Sequence, residues 1–341
     1  MISVGIIGGT GYTGKYLLKY LKQHEAIADY AIYANSSAGS ELLEIFPELM
    51  GVIDNQTIQS VNDLSFDHDL YFVSLPHGES LKYVPMLLEK GIKVIDLGGD
   101  YRLDSKELYN KWYGFEHSSS ELLSEKVYGL ADIENEKILY SNFISNPGCY
   151  PTSVQLALIP LVKSFSDEII SISTVSYSGA SGAGKKAKTE LLLSELDGNV
   201  KAYNINQHRH QPEIVQELEK YGMKSPFAFT THLLPIARGI YSTSTIHLNY
   251  EISEDEIKQK YFDEYANSKF VRMRNTPPEL KWVVNTNFCD INISAKDKTV
   301  IITSTIDNLI KGASGQALQN MNKMYGWEET LGLLNSNYIK A

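Results

Sequence analysis

The sequence is poor in cysteine, in clustered cations and in long apolar runs, and each shortage excludes a class of protein. Two cysteines in 341 residues, Cys149 and Cys289, cannot build a disulfide framework. Eight histidines are scattered without a second Cys/His cluster at metal-ligand spacing, so no metal site is expected. Lys plus Arg number 31 against 41 for Asp plus Glu, and no basic stripe offsets the net charge of −10, which argues against nucleic acid as a partner. The opening Met1-Ile2-Ser3-Val4-Gly5-Ile6-Ile7 lacks a basic segment and meets glycine before it could become a signal peptide or a membrane span. With reduced thiols, these features predict a cytoplasmic enzyme that makes no membrane contact.

What is present suits a globular chain: 43% hydrophobic and 21% charged residues over a length that allows about two domains. The β-branched run Ile2 to Ile7, the glycine turn Gly8-Gly9-Thr10-Gly11-Tyr12-Thr13-Gly14 and the helically spaced Lys15 to Lys22 predict strand, turn and helix. Tyr30 to Ala34, Leu70 to Leu75 and Lys93 to Leu97 read as further strands, with a helix over Gly78 to Lys90. That alternation predicts an α/β fold, a Rossmann-like parallel sheet covered on both faces. After Pro151 the texture shifts to longer β-rich runs at Ile169 to Tyr177, Ser242 to Tyr250, Trp282 to Ile293 and Val300 to Ile306, as in an α+β catalytic and dimerisation domain. Helices are expected over Ile257 to Ala266 and Ala313 to Met324. The division expected is 1–148 for dinucleotide binding and 149–309 for substrate and oligomerisation, with 310–341 packing back on the first domain.

Gly8, Gly11 and Gly14 recur every three residues at a strand-to-helix turn, as a backbone approaching a pyrophosphate requires. Tyr33-Ala34-Asn35-Ser36-Ser37 has no acidic residue for a ribose 2′-hydroxyl, which favours NADP(H) over NAD, with the hydroxyls of Ser36 and Ser37 open to a 2′-phosphate. In Ser145-Asn146-Pro147-Gly148-Cys149-Tyr150-Pro151-Thr152, Pro-Gly marks a turn and Pro151 fits a first helical position, so Cys149 is expected at a helix N-terminus, where a thiolate is favoured. Cys289 falls in a strand-like alternation and is expected to be buried and inert. A thiolate needs an acid/base partner, and His208-Arg209-His210-Gln211-Pro212-Glu213 supplies two imidazoles ahead of a helix expected from Pro212 to Tyr221. Ser178-Gly179-Ala180-Ser181-Gly182-Ala183-Gly184-Lys185-Lys186 has the spacing of a phosphate loop and is expected to lead into a helix ending at Leu196. Lys186 stands where a nucleotide triphosphatase needs Ser or Thr, leaving a smaller phosphate or a plain hinge as the alternatives.

The segment Asn146-Pro147-Gly148-Cys149-Tyr150-Pro151-Thr152 resembles the active-site signature of the N-acetyl-γ-glutamyl-phosphate reductases of arginine biosynthesis. The Gly8 to Gly14 loop, Leu75-Pro76-His77-Gly78, Asp96 to Leu103, Tyr128-Gly129-Leu130, the loop from Ser178 to Lys185, His208-Arg209-His210, Leu234 to Gly239 and Asp307 to Gln316 extend the resemblance along the chain. It implies NADPH-dependent reduction of an acyl phosphate through a Cys149 thioester, with His210 or His208 handling the proton and Glu213 orienting the one that does. It further implies that Thr10, Tyr12, Thr13, Pro76, Asn308 and Lys311 join the glycines and Ser36 around the cofactor. Asn146, Ser181, Gly182, Lys185 and Arg238 would meet the substrate and its phosphate, in a homodimer or homotetramer. Asn35 departs from the arginine many relatives carry, and Ser153 occupies a position that is usually small and nonpolar. N-succinylglutamyl and aminoadipyl phosphate, an aspartate-semialdehyde dehydrogenase activity, or a silent cofactor-binding regulator are the competing readings; one methylene is worth only about 1–3 kcal/mol of discrimination.

Overall fold

Ile2, Val4, Ile6 and Ile7 are buried without the alternation of a half-exposed strand, because their strand lies between two parallel neighbours. The structure is a computed structural model that describes residues 1–133 and 135–334, and the chain divides into two compact units. The first runs from Met1 to Pro147 and resumes at Ala313. Its elements are β1 (Ile2–Ile7), α1 (Tyr12–Lys22), β2 (Ile27–Ala34), α2 (Leu42–Ile45), β3 (Gln59–Ser60), β4 (Leu70–Val73), α3 (Ser80–Glu89), β5 (Lys93–Asp96), α4 (Lys106–Tyr113), β6 (Val127–Tyr128), α5 (Asn135–Leu139) and β7 (Phe143–Ser145). The seven strands form one parallel sheet in the order β3-β2-β1-β4-β5-β7-β6, as the βα alternation predicts. Strand order reverses between β1 and β4, the place where a doubly wound sheet opens a crevice at its carboxyl edge. On one side Ile7, Tyr71, Val73, Val94, Tyr101 and Tyr109 pack into a single apolar cluster.

The second unit, Gly148–Gly312, comprises α6 (Cys149–Phe165), β8 (Ile169–Ser178), α7 (Leu193–Leu196), β9 (Lys201–Tyr203), α8 (His210–Lys220), β10 (Phe227–Leu233), β11 (Ile240–Leu248), α9 (Glu254–Tyr265), β12 (Val271–Met273), β13 (Cys289–Lys296) and β14 (Thr299–Ile306). Its mixed sheet has the order β12-β13-β14-β11-β8-β10-β9. Helix α6 is buried along nearly its whole length and crosses this sheet. Ser153 explains its departure from a nonpolar residue here: its hydroxyl meets those of Ser242 at 3.1 Å and Ser304 at 2.8 Å, so a polar side chain is satisfied inside the core. Tyr261 and Tyr265 of α9 donate to the carbonyls of Ala157 and Leu156, both at 2.5 Å, tying α9 to α6.

After a π-turn at Ile310–Ser314, α10 (Gly315–Met324) belongs to the first unit, where Ser314 Oγ donates to Thr13 O at 2.8 Å and Asn320 Nδ2 to Gly129 O at 2.8 Å. Of the terminal segment 310–341, residues 335–341 lie outside the described residues.

Three sequence expectations need correction. The strand expected over Trp282 to Ile293 begins only at Cys289; Leu280–Trp282 is a 3-10 turn and Asn285 has φ +67°. The Asn285 N–H donates to Asp307 Oδ2 at 2.7 Å and Thr286 Oγ1 accepts from Phe288 N–H, side-chain bonds that replace a sheet ladder. The second glycine loop does not lead into a helix ending at Leu196: short 3-10 turns at Ala180–Ala183 and Thr189–Leu191 precede a four-residue helix. Helix α8 starts at His210 rather than Pro212.

Candidate active site

In the first unit, β1 ends where Gly8 takes φ +85°, a conformation that favours glycine, and its N–H donates to Tyr33 O at 2.8 Å. A side chain at Gly14 would put a Cβ 2.0 Å from Gly9 O, so only glycine lets α1 approach the turn this closely. A Cβ at Gly11 would meet nothing within 4 Å, leaving open space over the loop. The first bond of α1 runs from Lys15 N–H to Gly11 O, so the N–H groups of Tyr12, Thr13 and Gly14 precede the helical ladder. No acidic side chain occupies that first turn. Open space, forward N–H groups and the positive end of a helix fit a pyrophosphate. Ser36 stands exposed in the turn after β2, and Pro76 is exposed just beyond β4, whose Ser74 carbonyl would lie 2.2 Å from a Cβ on Gly8.

In the second unit, Cys149 is the first residue of α6, with Gly148 as N-cap. It is half-buried, whereas Cys289 on β13 is fully buried. The N–H of Gly148 donates to Glu213 Oε1 at 2.8 Å, and Gln155 Nε2 donates to Glu213 O at 3.1 Å. Glu213 therefore fixes the turn that carries the thiol. Gly312 backs Cys149 directly: a Cβ there would lie 2.7 Å from Cys149 Cβ and 3.1 Å from its Cα.

The histidines gather around the next residue. Tyr150 stands edge-on to His208 at 5.2 Å and to His210 at 5.9 Å between ring centroids, and the two imidazoles are 4.8 Å apart. Backbone N–H of His210 donates to His208 Nδ1 at 3.1 Å, which leaves the proton of the neutral ring on Nε2. Burial, with the nearby Arg209 charge, pushes His208 down to about 4. Tyr150 Oη and Tyr203 Oη are 2.7 Å apart. Burial raises the Tyr203 hydroxyl to about 12, the Tyr150 bond opposes that rise, and the Cys149 charge adds to it. Tyr203 and Gly312 have no role in the sequence analysis; only folding brings β9 and the π-turn to the cysteine.

The other expected contacts divide. Asn146, in the first unit, is buried and committed: its Nδ2 donates to Ala313 O at 3.2 Å and its Oδ1 accepts from Asn320 Nδ2 at 3.0 Å. Arg238 forms an ion pair with the buried Asp307 carboxylate at 2.7 Å and donates to Asn285 Oδ1 at 2.8 Å. Asn308 accepts from Gly239 N–H at 2.7 Å and donates to Ser181 Oγ at 3.1 Å, which joins it to the second glycine loop. There the N–H groups of Gly179, Ala180 and Ser181 donate to Gly239, Ile236 and Ala237 carbonyls, and those of Gly182 and Gly184 to carbonyls within the loop. A backbone phosphate cradle is thereby excluded at those five positions, and Ser181, the exposed Gly182 and Lys185 offer hydroxyl, space and ammonium instead. Lys311 is buried with Nζ 5.4 Å from the Phe270 ring centroid. Among the described residues, no group of three or more His, Cys, Asp or Glu could hold a metal ion, and no helix is long and apolar enough to cross a membrane.

Residues 3–140 match the semialdehyde dehydrogenase NAD binding domain, and residues 149–308 match the semialdehyde dehydrogenase dimerisation domain. Among solved structures, aspartate semialdehyde dehydrogenase II of Vibrio cholerae aligns with TM-score 0.73 and 17% identity over 95% of this chain and 98% of that one. The Candida albicans aspartate semialdehyde dehydrogenase with NADP aligns with TM-score 0.65 and 17% identity over 96% and 99%. The two domain matches place the chain among the semialdehyde dehydrogenases, which are oxidoreductases. Curated relatives narrow the class: N-acetyl-gamma-glutamyl-phosphate reductases of Pelotomaculum thermopropionicum and Methanococcus maripaludis are 42% and 41% identical, over 97% and 98% of this chain and equal shares of their own. The chain belongs to the N-acetyl-gamma-glutamyl-phosphate reductase family.

Proposed function

We propose that this enzyme reduces N-acetyl-γ-glutamyl phosphate to N-acetylglutamate semialdehyde, with Cys149 as nucleophile and His210 as acid/base. The observation that carries it is Cys149 at the first position of α6, its preceding amide held by Glu213 and its neighbour Tyr150 flanked by both imidazoles. Cys149 Sγ, favoured as thiolate by the helix N-terminus, attacks the acyl carbon; the carbon–oxygen bond to phosphate breaks and inorganic phosphate leaves a thioester. NADPH, when bound along the Gly8 to Gly14 loop with Thr10, Tyr12, Thr13, Ser36 and Pro76 around it, supplies the hydride that reduces this thioester. The thiohemiacetal then loses its sulfur as the carbonyl forms, and His210 exchanges the proton. His208 is assigned to holding its neighbour: its Nδ1 is occupied by the His210 N–H and its low pKa keeps it neutral. Ser181, Gly182, Lys185 and Arg238 are proposed to meet the substrate's anionic groups. Asn308 and Lys311 complete the cofactor set inferred from the family.

We also propose a homodimer or homotetramer acting in the cytoplasm. The natural assay runs in reverse, from semialdehyde, phosphate and NADP. Cys149→Ser is expected to abolish phosphate-dependent NADP reduction and leave NADPH binding within about twofold; retained turnover would overturn the assignment. A panel of N-acetyl, N-succinyl and aminoadipyl semialdehydes in the same assay tests the acyl group and chain length.

A further inference from the structure

Asp100 in the first unit has a role that neither the thiol chemistry nor the glycine loop supplies. Its carboxylate is fully buried and turned onto the segment after β4. Both oxygens accept from Gly78 N–H at 2.8 Å, and Oδ2 also accepts from Ser80 N–H at 3.1 Å and from Ser80 Oγ at 2.7 Å. His77 Nδ1 lies 3.9 Å away. Asp100 is itself fixed through its neighbours: Arg102 Nε donates to Asn146 O at 2.9 Å and its Nη2 to Leu97 O at 2.8 Å, while His117 Nε2 bonds the Asp100 carbonyl at 2.7 Å.

The arrangement is an expensive way to cap α3. A second buried carboxylate, Asp96, shares Ser80 Oγ at 3.5 Å, and two acids side by side out of water are costly to keep. A local serine or threonine at the N-cap would satisfy the same N–H groups at less cost, yet Glu79 stands there and makes no cap bond. What Asp100 holds is the Pro76–Ser80 turn, which follows Ser74, whose carbonyl would lie 2.2 Å from a Cβ on Gly8. In a sheet of this order the adenosine half of a dinucleotide lies toward β2, and the other half crosses to the β4 side of the reversal.

We propose that Asp100 is a positioning residue for the nicotinamide half of the cofactor, acting through the Pro76–Ser80 turn. The proposal rests on the cofactor site inferred at Gly8 to Gly14. Calorimetric titration of the whole enzyme with NADPH and with 2′,5′-ADP, which carries only the adenosine half, tests it without turnover. In Asp100→Asn an amide N–H faces the turn's donors, and the NADPH Kd is expected to rise about tenfold, against about threefold in Ser80→Ala, while the 2′,5′-ADP Kd stays within about twofold in both. Unchanged NADPH affinity, or equal weakening of both ligands as general destabilisation would give, overturns the proposal. Should Asp100→Asn fail to fold, Ser80→Ala decides by the same two titrations. Wild-type protein that binds neither ligand would overturn the cofactor site and this proposal together, whereas wild-type binding with unaltered variants overturns the proposal alone.

Discussion

A hydrogen bond joins the two histidines. His208 gives its Nδ1 to the backbone of His210 and is held neutral down to about pH 4, so above that pH it acts only as a donor through Nε2. His210 is therefore the one we propose to exchange a proton during turnover. His210→Ala is expected to lower kcat by about 10²–10⁴-fold and remove one limb of the pH profile of kcat/KM, whereas His208→Ala keeps both limbs with a smaller loss. Steady-state rates from pH 5 to 9 check this, and equal profiles for both variants would contradict it. The sequence narrowed the pair but could not separate the members, because the distinction is a tautomer set by backbone geometry two residues on. The bond from Asn320 to Asn146 is hidden for a related reason: the two lie 174 positions apart, and no local pattern announces it.

At the scale of elements, the glycine loop and the cysteine helix were legible because their signals are local. A β-branched run, a glycine turn and period-3.6 apolar spacing specify β1, the loop and α1 almost by themselves. Pro-Gly before Cys149 does the same for the start of α6. The second glycine loop has similar composition and folds otherwise, since the carbonyls of Ile236, Ala237 and Gly239 take its N–H groups and leave no helix start to point at an anion. Val283 to Ile293 reads as a strand by its alternation, yet Asp307 draws Asn285 N–H out of any ladder before Cys289. The π-turn at Ile310–Ser314 carries the least visible functional signal, the contact of Gly312 with Cys149. Gly312→Ala would place its Cβ 2.7 Å from Cys149 Cβ and must shift α6 or the turn. The expected outcome is a fall in kcat of about tenfold or more with NADPH affinity unchanged, read by steady-state kinetics beside a binding titration. Wild-type kcat would remove Gly312 from the account.

Across the molecule, buried ionisable groups pull stability in opposite directions with pH. Burial, with the adjacent Asp100 charge, pushes Asp96 up to about 7. Between the ordinary carboxylate range and that value the folded state binds more protons than the unfolded chain, so this contribution is present at low pH and lost as pH rises. His24, His68, His117 and His208 are lowered by burial, so the unfolded chain binds more protons there and stability rises with pH through their range. Asp96→Asn removes the opposing contribution and is expected to steepen the rise of Tm between pH 4.5 and 7.5 by a few degrees, roughly what a 1–2 kcal/mol change gives. Parallel melting curves for variant and wild type would contradict it. The parallel sheet, the mixed sheet and their order along the chain were within reach of the sequence because they follow from alternation and composition. Buried acid pairs and hydroxyl networks such as Ser153-Ser242-Ser304 were not, because their cost and their satisfaction are decided by residues far apart in the chain.

The central claim is a covalent one, and mass spectrometry of acid-quenched enzyme reads it directly. N-acetyl-γ-glutamyl phosphate, generated in situ and mixed with enzyme lacking NADPH, is predicted to release one equivalent of phosphate per chain and leave one N-acetylglutamyl group on the peptide that contains Cys149. Phosphate release with that peptide unmodified, or an acyl group carried elsewhere, would contradict the account.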